Sequence, residues 1–401
     1  MRFAISTLGC KVNQYESQLI REALVRAGHT EQKFSESGAE LYIVNTCTVT
    51  HRSDAEWRRL IRQALRRGGR VLVTGCGAVV SPKEITSLSN DLEVVGHGCL
   101  SRVLGVEVPS RITSFAGHAR AFVQIQQGCS NFCAYCIVPY ARGTPKSRPW
   151  EEIVAEVEGL VDAGYTEIVL TGINIGLYEG GLAWIIRKIM AHTSVSRIRL
   201  SSVEPWTVDT ALIELITKET RVCDHIHLPL QSGSQKILEA MGRPYSTAQY
   251  ASILDQIRTL SDSVSIGSDI MVGFPGEGER EFEESFSLVE KLPLTYLHVF
   301  PFSPRRGTRA FHMEGRQDPA AVRSRAARFR ELSGRKKRTF MGLHIGTGQE
   351  VLVMKANASW FMGITSNYLN VSVKGCAEPG ESVPVLITSL TDDSLEGELG
   401  G

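Results

Sequence analysis

Short β-branched runs alternate with longer stretches of helical period along the first hundred residues. "RFAIS" (2–6), "LYIVN" (41–45) and "RVLVT" (70–74) are separated by "NQYESQLIREALVRAG" (13–28) and "SDAEWRRLIRQALRRGG" (53–69), whose apolar positions recur every three to four residues. That order predicts a parallel α/β sheet over residues 1–110. "GVEVPSRITSFAGH" (105–118) mixes Gly, Pro and Ser and reads as a linker. A second β-α series follows, with strands at "AFVQIQQ" (121–127), "EIVLTG" (167–172), "RIRLSS" (197–202), "HIHLPL" (225–230), "SIGSDIMVG" (265–273) and "TYLHVF" (295–300). Six units fall short of the eight that close a full barrel, so residues 115–337 are expected to form an open, partial (β/α)6 barrel. From residue 338 to 401 the pattern switches to period two with glycine turns, the signature of a small closed β-barrel of the kind used by oligonucleotide-binding modules. The expected class is α/β, with an N-terminal sheet domain, a central partial barrel and a C-terminal β-barrel.

Composition narrows the setting. A chain of 401 residues, 42% hydrophobic and 22% charged, is globular and long enough for several domains. The net charge of +1 confines any polyanion-binding surface to a local patch. The N-terminus lacks the apolar core and cleavage site of a signal peptide, and no run approaches membrane-spanning length. Nine cysteines in such a chain point to metal or redox chemistry in a reducing compartment, so a cytoplasmic protein with no membrane partner is expected.

The cysteines then group themselves. "GCSNFCAYCIVPYARG" (128–143) places Cys129, Cys133 and Cys136 at C-x3-C-x2-C spacing with no fourth Cys or His nearby. A structural zinc site is closed by four protein ligands, whereas three thiolates on an iron–sulfur cube leave one iron open to a small molecule. A zinc knuckle or a set of buried free thiols is the plainer alternative. A second trio is dispersed: Cys10, Cys47 and Cys76 each follow one of the first three strands within a few residues. Loops at the carboxyl ends of parallel strands share one edge of the sheet, so these thiols are expected to meet at a second cluster, three ordinary small hydrophobic cysteines being the plainer alternative. Gly9 and Gly75 would let the backbone approach a bulky group there. Cys99, Cys223 and Cys376 show no grouping and read as structural. His225 and His227 point to one face of a strand, which a satisfied core pair explains better than a metal site.

C-x3-C-x2-C after the first strand of a six-unit β/α domain resembles the radical S-adenosylmethionine (SAM) enzymes. The resemblance implies a 4Fe-4S cluster whose open iron chelates SAM, and one-electron cleavage to a 5′-deoxyadenosyl radical. "TLGCKVNQYES", "NTCTVT", "LTGINIG", "SSVEP", "HLPLQSGS" and "DIMVGFPGE" extend it over nearly the whole chain to the methylthiotransferases. Within these, the wording is most similar to the tRNA threonylcarbamoyladenosine branch, and less so to the isopentenyladenosine and ribosomal-protein aspartate branches. The sequence departs at Gln18, where an acidic residue is usual, and at "CGAV" (76–79), where Tyr-Ala-Gln often follows the cysteine. What the resemblance implies is an enzyme that methylthiolates carbon 2 of the modified adenosine immediately 3′ of the anticodon. It implies two 4Fe-4S clusters, the one at Cys10, Cys47 and Cys76 holding or donating sulfur, together with an electron donor and a sulfur source. Tyr135, Gly172, Asn174, Glu204 and Gln231 are the expected SAM-pocket residues; a carboxylate such as Glu204 can accept from ribose hydroxyls or an amine.

Charge suggests the partner. "AAVRSRAARFRELSGRKKRTF" (320–340) ends in Arg335, Lys336, Lys337 and Arg338, a run suited to a tRNA backbone. "GITSNYLNVSV" resembles the TRAM domain, an RNA-binding appendage, with Tyr368 as a stacking ring. Arg58, Arg59, Arg62, Arg66 and Arg67 add charge in the first domain. The threonyl carboxylate of the substrate that the resemblance implies would need a cationic or hydrogen-bonding partner, for which Arg142, in the cluster loop, and Arg305 or Arg306, after the last barrel strand, are candidates. A non-catalytic iron–sulfur RNA-binding scaffold remains the alternative from another class.

Overall fold

The computed structural model describes residues 1–400. Its first unit is a five-stranded, all-parallel sheet built from β1 (Arg2–Thr7), β2 (Thr30–Glu31), β3 (Leu41–Thr46), β4 (Arg70–Gly75) and β5 (Leu92–Val94) in the order β2-β1-β3-β4-β5. β3 is buried at every residue, which explains its unbroken apolar run: helices cover both faces of the sheet. One apolar cluster includes Trp57, Leu60 and Ile61 of helix α2 (His51–Arg67), and the other Ile20 and Leu24 of helix α1 (Lys11–Arg26). The short outer strands β2 and β5 carry too few residues to give a periodic signal.

The second unit is the expected open, partial barrel of six parallel strands, hereafter the half-barrel. β6 (Ala121–Gln127), β8 (Glu167–Gly172) and β9 (Arg197–Leu200) form a parallel sheet edged by the antiparallel β7 (Lys146–Ser147). β10 (His225–His227), β11 (Ser265–Val272) and β12 (Tyr296–Pro301) form a second parallel sheet. Only local backbone bonds join the two, such as Val203 N–H to the His227 carbonyl at 2.9 Å. The expected linker before β6 is not loose. Glu22 of α1 accepts from the Thr113 and Ser114 amides, and Glu156 from the Ile112 amide, while Ile112 and Phe115 join the barrel core. Two buried carboxylates therefore satisfy a coil that has no ladder of its own.

The third unit is a closed five-stranded barrel of β13 (Gly348–Ala356), β14 (Trp360–Thr365), β15 (Asn370–Lys374), β16 (Ser382–Leu390) and β17 (Leu395–Leu399), consistent with the TRAM-like reading. The helix leading into it, Pro319–Gly342, runs past the expected boundary at 337 and delivers Phe340 and Met341 to the small barrel's core. Its basic end is largely compensated. Arg335 pairs with Glu331 and Glu290, Lys336 donates to the carbonyls of Glu290 and Leu292, Lys337 donates to the Asp393 carbonyl, and Arg338 lies 3.6 Å from Asp392. Those cations fasten the helix to its neighbours.

A buried ion network joins the barrels. Glu167, fully buried at the start of β8, accepts from Arg199 at 2.7 and 3.0 Å and pairs with Arg197 at 2.9 Å and Arg120 at 3.1 Å. Arg199 then donates to the Thr365 and Ser366 carbonyls of the β14–β15 loop. Tyr368 of that loop, at φ 69°, stacks on His225 at 4.5 Å between ring centres, so its ring closes the bottom of the half-barrel and is not an open RNA platform. Burial alone would raise the Glu167 carboxyl, but the arginines outweigh it and hold it at about 2. A carboxyl depressed this way stabilises the fold above its ordinary range near pH ~4.3, and that contribution disappears as pH falls towards 2. Glu167→Gln should cost roughly 3–5 kcal/mol in urea unfolding at pH 7, because it strands buried guanidinium groups. It should also expose residues 343–347 to limited proteolysis; an unchanged cleavage pattern would show that the network does not dock the C-terminal barrel.

Candidate functional site

β1, β3 and β4 are neighbours in the sheet, and the three dispersed cysteines follow their carboxyl ends. Cys10 caps the start of α1, Cys47 follows β3 directly, and Cys76 opens the short helix Cys76–Val80. Cys10 acts electrostatically on both buried thiols of the trio, and Cys47 on Cys76. Gly9 and Gly75 serve this convergence in a way different from the expected one. At Gly9 (φ 100°) a Cβ would sit 2.7 Å from Cys47 Cβ, and at Gly75 (φ 91°) 2.3 Å from Asn45 Oδ1. The loops approach one another, and only glycine fits between them. Asn13 and Asn45 lock the arrangement: Asn13 Nδ2 donates to the Leu8 and Thr46 carbonyls, and Asn45 Nδ2 to the Asn13 carbonyl. Both lie in phrases quoted above, but only the fold shows their role.

The other trio occupies the loop after β6. Phe132 adopts φ 40° between Cys129 and Cys133, and the loop is held by the Ala134 amide on the Met241 carbonyl and the Ala310 amide on the Ala134 carbonyl, both at 2.7 Å. Burial pushes the Cys76 thiol up to about 11 and the Cys136 thiol up to about 12, so as free thiols both would be protonated at neutral pH; iron binding would displace those protons. Thiolates on one zinc ion stand about 3.8 Å apart at Zn–S distances near 2.3 Å. Among the described residues only His227, Asp269 and His298 gather three ligand atoms within 4.8 Å of one another, so both cysteine trios are wider than a single ion needs. The histidine group is internally satisfied: Asp269 is 3.0 Å from His227 Nε2 and 3.4 Å from His298 Nδ1, and His225 Nε2 meets the Tyr296 hydroxyl at 2.8 Å. The expectation of a satisfied residue holds for His227, whose partners come from β11 and β12, whereas His225 leaves Nδ1 without a partner among the described residues.

The expected SAM-pocket residues surround the second trio. Asn174 Nδ2 lies 4.0 Å from Cys129 Sγ, and a Cβ on Gly172 would sit 2.7 Å from the Gln126 carbonyl. Asn174 Oδ1 and Gln231 Oε1 are buried without a partner, as is Asn131 Nδ2 in the cluster loop. Gln231 also holds φ 70°, so strain and unmet polar atoms coincide. Glu204 pairs with Arg243, a residue the sequence did not single out. Arg243 also lies 3.5 Å from Cys133 Sγ and from the Tyr135 hydroxyl, and its guanidinium stacks on Trp206 and Tyr245. Burial raises the Glu204 carboxyl, and Arg243 works the other way. An apolar cavity of about 210 Å³ adjoins this loop, lined by Tyr135, Cys136, Ile137, Met271 and Phe300 with Val49 of the N-terminal domain.

The arginines expected to meet substrate divide. Arg142 reaches the other trio, donating to Cys76 Sγ at 3.1 Å and to Asn13 at 2.5 Å, and it is ion-paired with Glu16. Arg305 donates to Asp54 at 2.5 Å and Thr48 at 2.7 Å. Both cross the interface and are already matched with carboxylates. Arg306 has no partner among the described residues and lines a 740 Å³ basin with Arg58, Lys83, Arg305 and Arg316, where five cations face only Asp54 and Glu84. Of the three cysteines set aside, Cys223 is buried beside Glu167, while Cys99 and Cys376 are exposed.

The model of the Radical SAM superfamily matches residues 123–289, and that described as Uncharacterized protein family UPF0004 matches residues 2–97. The threonylcarbamoyladenosine tRNA methylthiotransferase MtaB of Bacillus subtilis is 35% identical over 98% of this chain and 95% of its own. The tRNA-2-methylthio-N(6)-dimethylallyladenosine synthase of Alkalilimnicola ehrlichii is 32% identical over 100% of this chain and 98% of its own. Among solved structures, the radical SAM methyltransferase TsrM of Kitasatospora setae shares the fold at a TM-score of 0.53 and 15% identity, covering 75% of this chain and 74% of that one.

Arg243→Gln should strand Glu204 and loosen the second cysteine loop, costing on the order of 3 kcal/mol. Thermal unfolding, together with SAM affinity by equilibrium dialysis, checks this; wild-type values for both would remove Arg243 from the site.

Proposed function

The chain belongs to the radical SAM methylthiotransferase family, enzymes that use SAM and a 4Fe-4S cluster, and we propose that it methylthiolates carbon 2 of N6-threonylcarbamoyladenosine in tRNA, immediately 3′ of the anticodon. The observation that carries this reading is the pair of three-cysteine groups facing each other across the N-terminal domain–barrel interface, with Arg142 spanning from one to the other. Replacing a C–H bond of an adenine by C–S requires a means to open that bond and a sulfur held beside it; two clusters meet the two needs.

The residues fit SAM. Asn174 Oδ1 and Gln231 Oε1 offer unmet acceptors beside Cys129, Cys133 and Cys136, and Glu204 offers a carboxylate held by Arg243. When bound at the open iron, SAM supplies the radical and, from a further molecule, the methyl group. Cys10, Cys47 and Cys76 would hold the auxiliary cluster, to which an external sulfur source and an electron donor contribute. The close loop packing around Gly9 and Gly75 keeps this second group fixed, with Cys47 and Cys76 buried and Cys10 exposed.

Support for RNA comes from a different surface than expected. The run Arg335–Arg338 is tied to acids and carbonyls, whereas the basin at Arg58, Lys83, Arg306 and Arg316 has cations in surplus. Phe132 and Tyr140, half exposed on the cluster loop with ring centres 5.4 Å apart, offer stacking faces nearby in place of Tyr368. The threonylcarbamoyl substrate follows the names of relatives that match at 32–35% identity. The apolar cavity beside Cys136 favours the isopentenyl substituent as the second reading.

Anaerobically reconstituted wild-type protein should carry about eight iron atoms, four per cluster, and Cys129→Ala and Cys47→Ala should each retain about four. Cys129→Ala should cleave no SAM; Cys47→Ala should cleave it slowly and yield no methylthio-nucleoside by mass spectrometry. Full product from Cys47→Ala would sink the auxiliary assignment. Given tRNA with either substituent, the enzyme should convert the threonylcarbamoyl form and leave the isopentenyl form nearly untouched; equal turnover would overturn the branch.

In salt titrations of tRNA binding, Lys83→Ala and Arg306→Ala should each lower the log–log slope by up to about one unit. Slopes equal to wild type would take the basin out of the RNA surface.

A further inference from the structure

The half-barrel encloses a polar cavity of about 190 Å³ that no step above uses. It runs from Ser201 and Ser202, just past the carboxyl end of β9, down to Tyr368, the ring that closes the bottom. Ser202, in the cavity wall, is two residues before Glu204, one of the expected SAM-pocket residues. At this volume it takes a few waters or one small polar substituent.

Its electrostatics are unbalanced. Lys11, Arg120 and Arg199 line it with Asp269; Arg120 and Arg199 are matched by Glu167, which lies outside the lining, and Asp269 is matched by His227 and His298. Lys11 is left over. It follows Cys10, is half-buried, lies within electrostatic reach of Arg120, Arg199 and Tyr368, and has no hydrogen bond or ion pair among the described residues. Two further groups in the wall have unmet capacity: His225, 3% exposed, has Nδ1 without a partner, and so has the Ser201 hydroxyl. A partly desolvated ammonium beside unmet polar atoms is costly unless an anion completes the set.

We propose that this cavity receives the carboxylate of the threonylcarbamoyl substituent, with Lys11 as the specificity-determining cation and His225 and Ser201 as its hydrogen-bonding partners. The inference rests on the substrate reading above and deepens it. Lys11 is covalently next to Cys10, so a substituent reaching Lys11 keeps its adenine between the auxiliary trio and the SAM-pocket residues. Arg142 and Arg305, each already paired with a carboxylate, leave this role open. An isopentenyl group entering here would strand the same polar atoms, which gives discrimination by exclusion as well as by attraction.

The test compares anaerobic binding of two anticodon stem-loop RNAs, one with threonylcarbamoyladenosine and one with unmodified adenosine, to reconstituted wild type, Lys11→Met and Lys11→Arg at matched iron content. Wild type should prefer the modified RNA by roughly 10- to 100-fold, the range of one charge-assisted contact. Lys11→Met should bind both alike, with affinity for the unmodified RNA within about twofold of wild type, and Lys11→Arg should restore most of the preference. If wild type prefers the modified RNA and Lys11→Met keeps that preference, the substrate reading stands and the role of Lys11 falls. If wild type itself makes no distinction, the substrate reading falls and takes this inference with it.

Discussion

Parallel strands deliver their carboxyl ends to one edge, and this protein contains two parallel sheets whose cysteine-bearing edges must face each other at fixed separation. The contact that fixes it is polar. Arg142 leaves the cluster loop of the barrel and ends among Cys76, Asn13 and Glu16 of the N-terminal domain, and Arg305 reaches Asp54 and Thr48 in the same direction. A hydrophobic interface of similar area would permit sliding, whereas a guanidinium fork matched to a carboxylate sets distance and orientation together. Removing either arginine would take the buried cation away from a carboxylate, Glu16 or Asp54, which makes the separation of the two trios costly to change.

Much of this architecture was legible in the chain. The three units, the six barrel strands and the two cysteine groups follow from period, order and spacing. The limits were equally physical. β2, with two residues, has no period to read, and the 105–118 segment has the composition of a linker although Glu22 and Glu156 hold it as firmly as a ladder would. Cationic runs were the least informative signal. A sequence shows where lysines and arginines lie, not which acids reach them, and Asp392, Asp393 and Glu290 return from distant segments to occupy the end of the long helix. Arg243 escaped notice for the same reason: nothing in "MGRPYS" indicates that Glu204, 39 positions earlier, will be its partner.

Strained backbone marks the places where function and fold compete. Among the described residues, three non-glycine positions have positive φ: Phe132 in the cluster loop, Gln231 beside it, and Tyr368 at the bottom of the barrel. Such conformations cost on the order of 1–3 kcal/mol each and persist where the surroundings over-determine them. At Phe132 the two flanking cysteines and the bonds of Ala134 to Met241 and Ala310 do so; at Gln231 the backbone bonds to Asp269 and Met271 do so. At Tyr368 the strain turns a ring of the third unit into the interior of the second, where it stacks on His225 under Arg199 and Arg120.

That placement ties the small barrel to chemistry in a way its surface charge does not. Tyr368 and Arg199 are floor and wall of the cavity that faces Lys11, and the Thr365 and Ser366 carbonyls hold Arg199 in position. The three units thus meet around one interior space: Lys11 from the sheet domain, His225 and Asp269 from the half-barrel, Tyr368 from the C-terminal barrel. A module attached only to hold RNA would not need to insert a side chain there, and a half-barrel open at its base would admit more water to the polar groups around the cavity. Because water competes for every hydrogen bond a substrate group could make, closing that base sharpens selection at the other end of the cavity.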